Sequence, residues 1–465
     1  MEEQGKRSHV VVLTYPAQGH INPLLQFTKR LAAKGLRATF ATTPYTILSI
    51  RSTTIGLEPI SDGFDEGGFS LAPSTEAYLE SFKTAGSKTL SDLVQKFIHT
   101  EDPVTCIVYD SLLPWAMDVA RKFGIYSALL LTVSASVSSL FWHIHRGQLS
   151  FPVKLEEDDQ PLTVPGIPPI RHGELPTFLA RPEDQSAYLS VIMGMYATLD
   201  QHDFVFCNSS EELEIESVKA MSGQWPLVMV GPLIPLAYSS SHQSEEDTAY
   251  GANLWDPSNE PYLQWLDQRE PNSVIYVSFG SMAKIPQAQV EEFASGLKLT
   301  NKPFLWVLKD YPKDKLPVGC LGSGGETFRR GLVVEWCNQL EVLAHRAVGC
   351  FFTHCGWNST LEGISLGVPM VGAPIWSDQP MNAKFVDEVL GLGVRAKRDE
   401  AGILTAREIE RCVHEVMDGE RSDEFRANAS NWAEKAKGSV SKGGSSDRNI
   451  EEFIAKLVKR GRKID

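Results

Sequence analysis

Histidine and carboxylate side chains follow two of the strands that the sequence predicts. His9 to Thr14 is a short, valine-rich apolar run typical of a buried strand, and His20 follows it after a short loop. Val104 to Tyr109 is a second such run, and Asp110 comes directly after it. Both side chains are therefore expected at the carboxyl ends of strands, where parallel sheets bind their ligands. If the two strands are neighbours, the aspartate can reach the histidine.

Such a pair could act as a general base. A carboxylate on one imidazole nitrogen fixes the tautomer and stabilises the protonated ring, so the other nitrogen can take a proton from a hydroxyl. Catalysis of this kind accelerates a reaction by about 10²–10⁴. A structural interpretation fits the same pattern: His20 would cap a helix expected to begin at Asn22-Pro23, and Asp110 would cap the next helix.

A second group of polar residues lies where an apolar strand runs into a glycine-containing turn and then a helix expected to begin near Asn358. The start of a helix offers backbone N–H groups and the positive end of a dipole, so it can bind an anion such as a diphosphate. His354, Asn358 and Ser359 would add side-chain donors. Glu362 has two competing uses: its spacing from Ser359 is that of a capping box, whereas its carboxylate could instead accept both hydroxyls of a ribose.

Two tryptophans and a carboxylate–amide pair complete this region. Trp336 and Trp357 each stand next to a turn. Trp336 could stack on a flat base and Trp357 could line a sugar pocket, or both could pack in the core. Asp378 and Gln379 follow another apolar run, and a carboxylate beside an amide can hold sugar hydroxyls. The alternative is a helix cap, because Pro380 comes next.

Strand-like and helix-like stretches alternate along the chain, which predicts an α/β fold with parallel sheets covered by helices on both faces. The alternation stops in a polar stretch near residues 236–260 and then restarts. We therefore expect two similar α/β domains with a cleft between them. The expected boundaries are 1–240 for the first domain, 241–260 for a polar linker, 261–445 for the second domain, and 446–465 for a C-terminal helix that could pack back on the first domain.

Composition disfavours several classes of protein. The 465 residues carry a formal net charge of −14, which disfavours nucleic acid or an anionic membrane as the main partner, because both need a basic surface. No apolar run reaches the roughly 18–20 residues of a membrane span, and the N-terminus lacks the apolar core of a signal peptide. The seven scattered cysteines fit reduced thiols. We therefore expect a cytoplasmic protein without stable membrane insertion.

Weaker motifs disfavour other chemistries. His345, Cys350, His354 and Cys355 resemble a metal cluster by residue type, but their spacing matches no standard zinc pattern, so no metal site is expected. The glycine-rich run at residues 322–325 lacks the strand and helix that flank a phosphate loop. The loop after the first strand is not G-x-G-x-x-G, which disfavours a nicotinamide-dependent dehydrogenase.

The 44 positions from Trp336 to Gln379 resemble the signature box of the plant secondary-product glycosyltransferases, which use uridine-diphosphate sugars. The resemblance extends along the whole chain, including residues 18–23, 109–110 and 277–281. It implies a GT-B fold, in which two Rossmann-like domains face each other across a cleft, with the acceptor held mainly by the first and the sugar donor by the second. The matching positions in the box are Trp336, Gln339, His345, Gly349, residues 353–362, Gly367, Pro369, Trp376, Asp378 and Gln379.

The resemblance also implies roles for individual residues. His20 would be the catalytic base and Asp110 its partner. Uracil would stack on Trp336, and Gln339 and Glu362 would bind the ribose. The diphosphate would be held by His354, Asn358, Ser359 and Ser281. The hexose would be held by Trp357, Asp378 and Gln379. The full set expected to bind the donor is Gly19, Ser281, Trp336, Cys337, Gln339, His354, Gly356, Trp357, Asn358, Ser359, Glu362, Asp378 and Gln379. The residues expected to line the acceptor pocket are Leu131, Ser134, Phe141, Trp142 and Trp376.

The implied activity is an inverting transfer of glucose from UDP-glucose to a hydroxyl or a carboxyl group of a small hydrophobic acceptor, such as a phenolic, flavonoid, terpenoid or steroid. Glutamine at Gln379 favours glucose over galactose in this family. UDP-glucose is then a co-substrate rather than a permanently bound cofactor. No metal is expected, because the helix start and His354 would meet the charge of the departing diphosphate. A monomer is expected. A sugar-nucleotide-binding relative without catalysis is the main alternative, and the intact His20 and Asp110 oppose it.

Overall fold

The computed structural model describes residues 8–50, 54–156, 160–238, 261–309, 311 and 330–461. The linker expected at residues 241–260 and the glycine-rich run at residues 322–325 lie outside the described residues. The chain divides into two compact units, here called unit 1 and unit 2. Unit 1 comprises Met1–Pro169, Phe178–Leu254 and Gly438–Asp465, and unit 2 comprises Ile170–Thr177 and Trp255–Lys437. Unlike the expected division, this one groups residues 170–177 with unit 2 and residues 438–445 with unit 1.

The strands are short, and most are apolar. In chain order they are β1 (His9–Leu13), β2 (Arg37–Thr42), β3 (Gly56–Pro59), β4 (Val104–Asp110), β5 (Tyr126–Leu131), β6 (Leu162–Val164), β7 (Ile167–Ile170), β8 (Phe204–Cys207), β9 (Leu227–Met229), β10 (Val274–Ser278), β11 (Phe304–Val307), β12 (Gly331–Val334), β13 (Val348–Thr353), β14 (Met370–Gly372) and β15 (Gly393–Arg395).

The helices lie between these strands and after the last one. In chain order they are α1 (Gln18–Ala33), α2 (Pro44–Ile47), α3 (Thr75–Phe97), α4 (Ala116–Lys122), α5 (Ala135–His145), α6 (Thr177–Ala180), α7 (Ser186–Tyr196), α8 (Ile215–Ala220), α9 (Tyr262–Asp267), α10 (Gln287–Leu299), α11 (Gln339–Leu343), α12 (Trp357–Leu366), α13 (Gln379–Lys384), α14 (Ala406–Met417), α15 (Ser422–Val440) and α16 (Ser445–Gly461). Short 3-10 helices lie at Gly68–Leu71, Pro182–Gln185, Leu199–Gln201 and Leu236–Tyr238, and a π-helical turn lies at Phe385–Val389.

Unit 1 is built on a parallel sheet. Its described strands take the order β3-β2-β1-β4-β5-β8-β9, and every neighbouring pair is parallel. The strand order changes direction between β1 and β4, so the sheet has a topological switch point there, where ligands of such sheets bind. The core packs α1 and α16 against this sheet.

Unit 2 repeats the plan. Its described strands take the order β12-β11-β10-β13-β14-β15, again with every neighbouring pair parallel. The switch point lies between β10 and β13. The core packs α10, α14 and the start of α15 against the strands. Both units therefore have the strand order and the parallel pairing of Rossmann-like folds.

Helix α1 begins at Gln18, one turn earlier than the start expected at Asn22. Pro23 lies inside the helix, where proline normally costs about 3 kcal/mol. The helix tolerates it because its apolar side chains are buried in the core of unit 1, and tertiary packing outweighs local propensity. His20 therefore lies in the first turn of α1 and not before it, which corrects the expectation from the sequence.

Helix α16 packs on the core of unit 1. Ile450, Phe453 and Leu457 join that core at intervals of three and four residues, which places them on one face of the helix. The ring of Phe453 lies edge-on to those of Phe204 and Phe206, with centroid distances of 4.8 and 5.0 Å. The last helix in the sequence is thus part of the first unit.

Among the described helices, none combines the length and the apolar character that crossing a bilayer requires. No disulfide joins the cysteines of the described residues, and Cys320 lies outside that part of the chain.

Candidate active site

The switch point of unit 1 brings His20 and Asp110 together. Strands β1 and β4 are adjacent, with Leu13 opposite Tyr109, so the residues that follow them share one edge of the sheet. Nδ1 of His20 lies 2.7 Å from Oδ2 of Asp110. The Asp110 side chain has no exposed surface, whereas the His20 side chain is 23% exposed. A buried carboxylate therefore holds an imidazole that reaches the surface of the unit.

Further contacts fix the geometry of this pair. The backbone N–H of Leu112 donates to Oδ1 of Asp110 at 2.9 Å, so each carboxylate oxygen has a partner. The Tyr15 ring lies edge-on to His20 at a centroid distance of 5.5 Å. The hydroxyl of Thr132 lies 3.4 Å from Nδ1 of His20. Because Nδ1 faces the carboxylate, a proton exchanged with another molecule would have to pass through Nε2.

The structural interpretation of His20 as a helix cap is wrong. The N-cap residue of α1 is Ala17, and no side chain caps this helix. Gly19, expected to contact the donor, precedes His20 in the first turn and is exposed. The helix therefore presents Gly19 and His20 at the carboxyl edge of the sheet of unit 1.

Four of the residues expected to line the acceptor pocket lie in unit 1. Leu131 ends β5, and Ser134 is the N-cap residue of α5, where its hydroxyl accepts from the backbone N–H three residues later. Phe141 and Trp142 lie about two turns further along α5 and are each 3% exposed. The Phe141 ring stacks on Tyr196 at a centroid distance of 5.2 Å. Leu131 and Ser134 thus share the edge that carries His20, while Phe141 and Trp142 are packed deeper in the unit.

The switch point of unit 2 holds a histidine between two glycines. Ser281 lies shortly after β10, and His354 follows β13 directly. A Cβ atom added to Gly280, whose φ is 73°, would lie 2.6 Å from Nε2 of His354, and one added to Gly356 would lie 2.5 Å from it. Because both distances are too short for a side chain, only glycine at these two positions allows the imidazole to lie where it does.

His354 is neutral at physiological pH, because burial lowers its pKa from 6.5 to about 4. Its Nδ1 is buried and has no hydrogen-bond partner among the described residues, which is rare for a buried polar atom. Helix α12 begins at Trp357, with no acidic residue in its first turn. The positive end of this helix dipole and a neutral imidazole therefore lie side by side, which suits an anionic ligand.

Gln339 connects the two residues whose spacing suggested a capping box. Its Nε2 donates to Oγ of Ser359 at 2.8 Å and to Oε2 of Glu362 at 2.6 Å. Its Oε1 accepts from the hydroxyl of Tyr276 at 3.1 Å. The capping box is not formed, because α12 starts earlier and its N-cap residue is Gly356. Glu362 is thus oriented by an amide and not used to close the helix.

The two tryptophans of this region differ in exposure. Trp336 follows β12 and is half-buried, whereas Trp357 is the first residue of α12 and is 3% exposed. Asn358, next to Trp357, is half-buried. Cys337 is buried, and burial raises the pKa of its thiol to about 12. At this pKa the thiol is protonated at neutral pH. The hydroxyl of Tyr276 lies 3.6 Å from its Sγ, so Cys337 packs against β10.

The loop after β14 carries the carboxylate–amide pair. Oε1 of Gln379 accepts from the backbone N–H groups of Ile375 and Trp376, at 2.9 and 3.0 Å. Both partners are donors, so the orientation of the amide is fixed, and a further partner would meet its –NH₂ group. Asp378 occupies the N-cap position of α13 without a side-chain cap, and its Oδ2 accepts from Nδ2 of Asn382 at 2.8 Å. Asp378 and Gln379 are thus held in defined orientations.

Lys309, a cation at the same edge of the sheet, is not among the site residues predicted from the sequence. Lys309 lies just beyond β11, and its Nζ donates to the carbonyl oxygen of Ser281 at 3.2 Å. The signal that could have identified it is the one used for His20, a polar side chain at the carboxyl end of a predicted strand. A positive charge therefore lies beside one of the residues expected to hold the diphosphate.

The residues weighed as a metal cluster are spread over different environments. Nε2 of His345 lies 3.2 Å from Oδ1 of Asp267, and burial raises the pKa of the Cys350 thiol to about 12. In the part of the chain that the structure describes, no group of three or more His, Cys, Asp or Glu side chains could hold a metal ion.

Comparisons with known proteins identify the family. The family described as UDP-glucoronosyl and UDP-glucosyl transferase matches residues 248–431, and the glycosyltransferase N-terminal domain matches residues 7–61. The flavonol 7-O-beta-glucosyltransferase UGT74F1 of Arabidopsis thaliana is 42% identical over 97% of this chain and 98% of its own. Crocetin glucosyltransferase 2 of Crocus sativus is 42% identical over 97% of both chains.

A solved structure supports the same family. The crystal structure of Os79 from O. sativa in complex with UDP aligns with a TM-score of 0.88 and 38% identity, over 96% of this chain and 100% of that chain. The alignment with this structure covers nearly the full length of both chains, so it includes both Rossmann-like units. The chain therefore belongs to the plant UDP-glycosyltransferases, is a glycosyltransferase, and has the GT-B fold.

Proposed function

We propose that this enzyme transfers glucose from UDP-glucose to a hydroxyl or carboxyl group of a small hydrophobic acceptor, with inversion at the anomeric carbon. The observation that carries the proposal is the 2.7 Å contact between Nδ1 of His20 and Oδ2 of Asp110. A buried carboxylate on one nitrogen of an imidazole that reaches the surface is the arrangement that a general base for a hydroxyl requires.

In the proposed step, Nε2 of His20 takes the proton of the acceptor hydroxyl while the acceptor oxygen attacks the anomeric carbon. Asp110 holds the proton on Nδ1 and stabilises the imidazolium that forms. The bond between the anomeric carbon and the diphosphate oxygen breaks, and its electron pair leaves with UDP. Attack from the opposite face converts the α-linked donor into a β-glucoside. A carboxylate acceptor is already ionised, so His20 would matter less for it.

Unit 2 is proposed to bind the donor, and unit 1 the acceptor. The half-buried Trp336 would stack on uracil, and Glu362 would accept from the ribose hydroxyls. The amide of Gln339 supports this role, because its 2.6 Å bond to Oε2 fixes the orientation of the Glu362 carboxylate before a ligand arrives. A preorganised carboxylate loses less conformational entropy when the nucleotide binds.

The diphosphate is proposed to lie at the start of α12. Its partners would be the side chains of His354, Asn358, Ser359 and Ser281, and the ammonium group of Lys309 lies next to the last of these. Negative charge builds on the diphosphate as the sugar leaves, and donors placed in advance stabilise it. The proposed mechanism therefore supplies the leaving-group stabilisation without a metal ion.

The hexose would be held by Trp357, Asp378 and Gln379, the last through its –NH₂ group. Glucose is the proposed sugar because the Arabidopsis and Crocus relatives are both named as glucosyltransferases. The Arabidopsis relative is named for a flavonol, which supports an aromatic acceptor. The residues proposed to surround the acceptor are Leu131, Ser134, Phe141, Trp142 and Trp376.

We further propose that the enzyme acts as a monomer in the cytoplasm, with its two substrates as its partners. The buried, reduced cysteines of the described residues support this compartment. The net charge of −14 disfavours nucleic acid as a partner.

The test is incubation of the purified protein with radiolabelled UDP-glucose and a panel of phenols, flavonoids, terpenoids, steroids and carboxylic acids. We expect a β-glucoside, identified by the coupling constant of its anomeric proton, and weaker transfer from UDP-galactose and UDP-glucuronate. EDTA should leave turnover unchanged. Absence of product with every acceptor class, an α-linked product, or an EDTA-sensitive rate restored by magnesium would each contradict a part of the proposal.

A further inference from the structure

The loop that carries Asp378 and Gln379 is held by a segment that lies about 200 residues earlier in the sequence. Ile170–Thr177 belongs to unit 2, although the chain on both sides of it belongs to unit 1. The backbone N–H of Ser377 donates to Oγ1 of Thr177 at 2.7 Å. The backbone N–H of Thr177 donates in return to the carbonyl oxygen of Ser377 at 2.8 Å. Two residues that are 200 positions apart thus form a reciprocal pair.

The loop needs such support because Ser377 adopts a left-handed backbone conformation, with φ at 62°. Residues other than glycine avoid this region, and they hold it only where their surroundings over-determine it. From within the loop, Oε1 of Gln379 accepts from the N–H groups of Ile375 and Trp376. From outside, Thr177 fixes the next residue. The conformation around Asp378 therefore depends on both sets of bonds.

The same segment also anchors the other end of α13. Nζ of Lys384, the last residue of α13, lies 2.9 Å from Oε2 of Glu174 and 2.6 Å from Oε2 of Glu388. Nη2 of Arg395 lies 2.8 Å from Oε1 of Glu174. The side chains of Lys384 and Glu174 are each 3% exposed, so solvent screens their attraction only weakly.

The carboxylate of Glu174 stays charged in this setting. Burial opposes its ionisation, but hydrogen bonds from the backbone N–H of Arg171 and from the side chains of Lys384 and Arg395 outweigh burial and lower its pKa. The six-residue helix α13 is thus held by Thr177 at Ser377, the residue before its N-cap, and by Glu174 at its last residue.

We propose that residues 170–177 are a positioning element for the sugar of the donor, with Thr177 as a positioning residue that acts through Ser377. The inference rests on the proposed function, in which Asp378 and Gln379 help to hold the hexose while other residues of unit 2 hold the nucleotide. Loss of the Thr177 hydroxyl frees the loop to leave its strained conformation. Binding of the sugar then weakens, and binding of the nucleotide does not.

The test is the ratio of the dissociation constant of UDP-glucose to that of UDP, measured by calorimetry on the full-length protein. Thr177→Val keeps the shape of the side chain and removes the acceptor of the Ser377 N–H. We expect the ratio, and the KM for UDP-glucose, to rise by about fivefold to tenfold, the effect of one hydrogen bond. Thr177→Ser should restore both values. Any unfolded fraction reduces binding of both ligands equally, so it cancels from the ratio.

Thr300→Val is the matched control. Oγ1 of Thr300 accepts from the backbone N–H of Lys302 at 3.3 Å, in a loop that precedes β11 and so lies at the opposite edge of the same sheet. This variant should leave the ratio unchanged. An unchanged ratio in Thr177→Val, or equal weakening of UDP and UDP-glucose, would overturn the inference. Failure of the wild-type protein to transfer glucose would instead overturn the proposed function.

Discussion

The switch points of units 1 and 2 occupy the same place in similar sheets, but their polar residues are held differently. In unit 1, His20 is held mainly by Asp110, and the imidazole reaches the surface. In unit 2, the polar side chains hold one another, as Gln339 does for Ser359 and Glu362. A base must meet acceptors of varied shape, whereas a nucleotide site must present many groups in one arrangement.

The contrast explains why the recognisable pattern lies in unit 2. Mutual contacts within the box constrain many residue types at fixed spacing, including Gly356, where a side chain would meet His354. The dyad of unit 1 constrains two residue types on two separate elements. If the proposed assignment of acceptor and donor to the two units is correct, substrate specificity can change in unit 1 while the donor site of unit 2 stays the same.

The strongest test of this comparison is to remove the imidazole proposed as the base. We expect His20→Ala to lower kcat/KM for a hydroxyl acceptor by about 10²–10⁴, the usual contribution of general-base catalysis. The dissociation constant of UDP should not change, because the donor is assigned to unit 2. The exposed His99 supplies a control, His99→Ala, expected to be fully active. If His20→Ala lost UDP affinity with little loss of turnover, the dyad would belong to donor recognition.

A smaller effect, on the affinity for UDP, is expected when the Glu362 carboxylate that Gln339 orients is replaced. Glu362→Gln should raise the dissociation constant of UDP by about tenfold or more, because a hydrogen bond to a charged group is stronger than one to a neutral group. Calorimetry with UDP measures this. Glu341→Gln removes a negative charge from α11, a helix that also carries Gln339, and should bind UDP normally. Reduced transfer with unchanged UDP affinity would place Glu362 outside the nucleotide site.

One histidine in each unit, with a lowered pKa, should make the two units respond alike to acid. Burial and the nearby charge of Arg37 lower the pKa of His9 in unit 1 to about 4, and burial lowers that of His354 in unit 2 to about 4. Because the folded pKa lies below the unfolded value of 6.5, the unfolded state binds more protons between pH 6.5 and 4. The free energy of unfolding therefore falls as the pH falls through this window.

For the fully buried His9, the expected loss between pH 7 and pH 5 is about 2 kcal/mol. Urea denaturation of the wild type and of His9→Gln measures it, and the variant should lose less stability over this range. His414→Gln, at an exposed position, should keep the wild-type dependence. If all three proteins showed the same dependence on pH, the assignment of a neutral, buried His9 would be wrong.

Much of the fold could be predicted because apolar runs between turn residues leave few alternatives. The predicted strands at residues 9–14 and 104–109 differ from β1 and β4 by one residue each. Helix starts were harder to predict. Pro23 suggested a start at Asn22, but burial of the helix face allowed α1 to begin at Gln18. The predicted capping box failed because α12 begins at Trp357, with Gly356 as its N-cap residue, so Ser359 already lies inside the helix.

The contact of His20 with Asp110 followed from a general rule, since residues at the carboxyl ends of neighbouring strands meet. The contact of Thr177 with Ser377 could not be predicted in this way. No pattern in residues 170–177 distinguishes them from an ordinary loop, and the contact forms only when the chain returns 200 positions later. Sequence patterns predict local structure, whereas contacts between such distant residues depend on the complete tertiary fold.

The place of α16 in unit 1 has a consequence for synthesis on the ribosome. The core of unit 1 is completed by Phe453 and its neighbours on α16, but unit 2 occupies residues 255–437 of the intervening chain. At about 5–20 residues per second, translation of that stretch takes roughly 10 to 40 s. During this interval the nascent amino-terminal unit exposes the apolar surface on Phe204 and Phe206 that α16 later covers, and it is a natural client for chaperones.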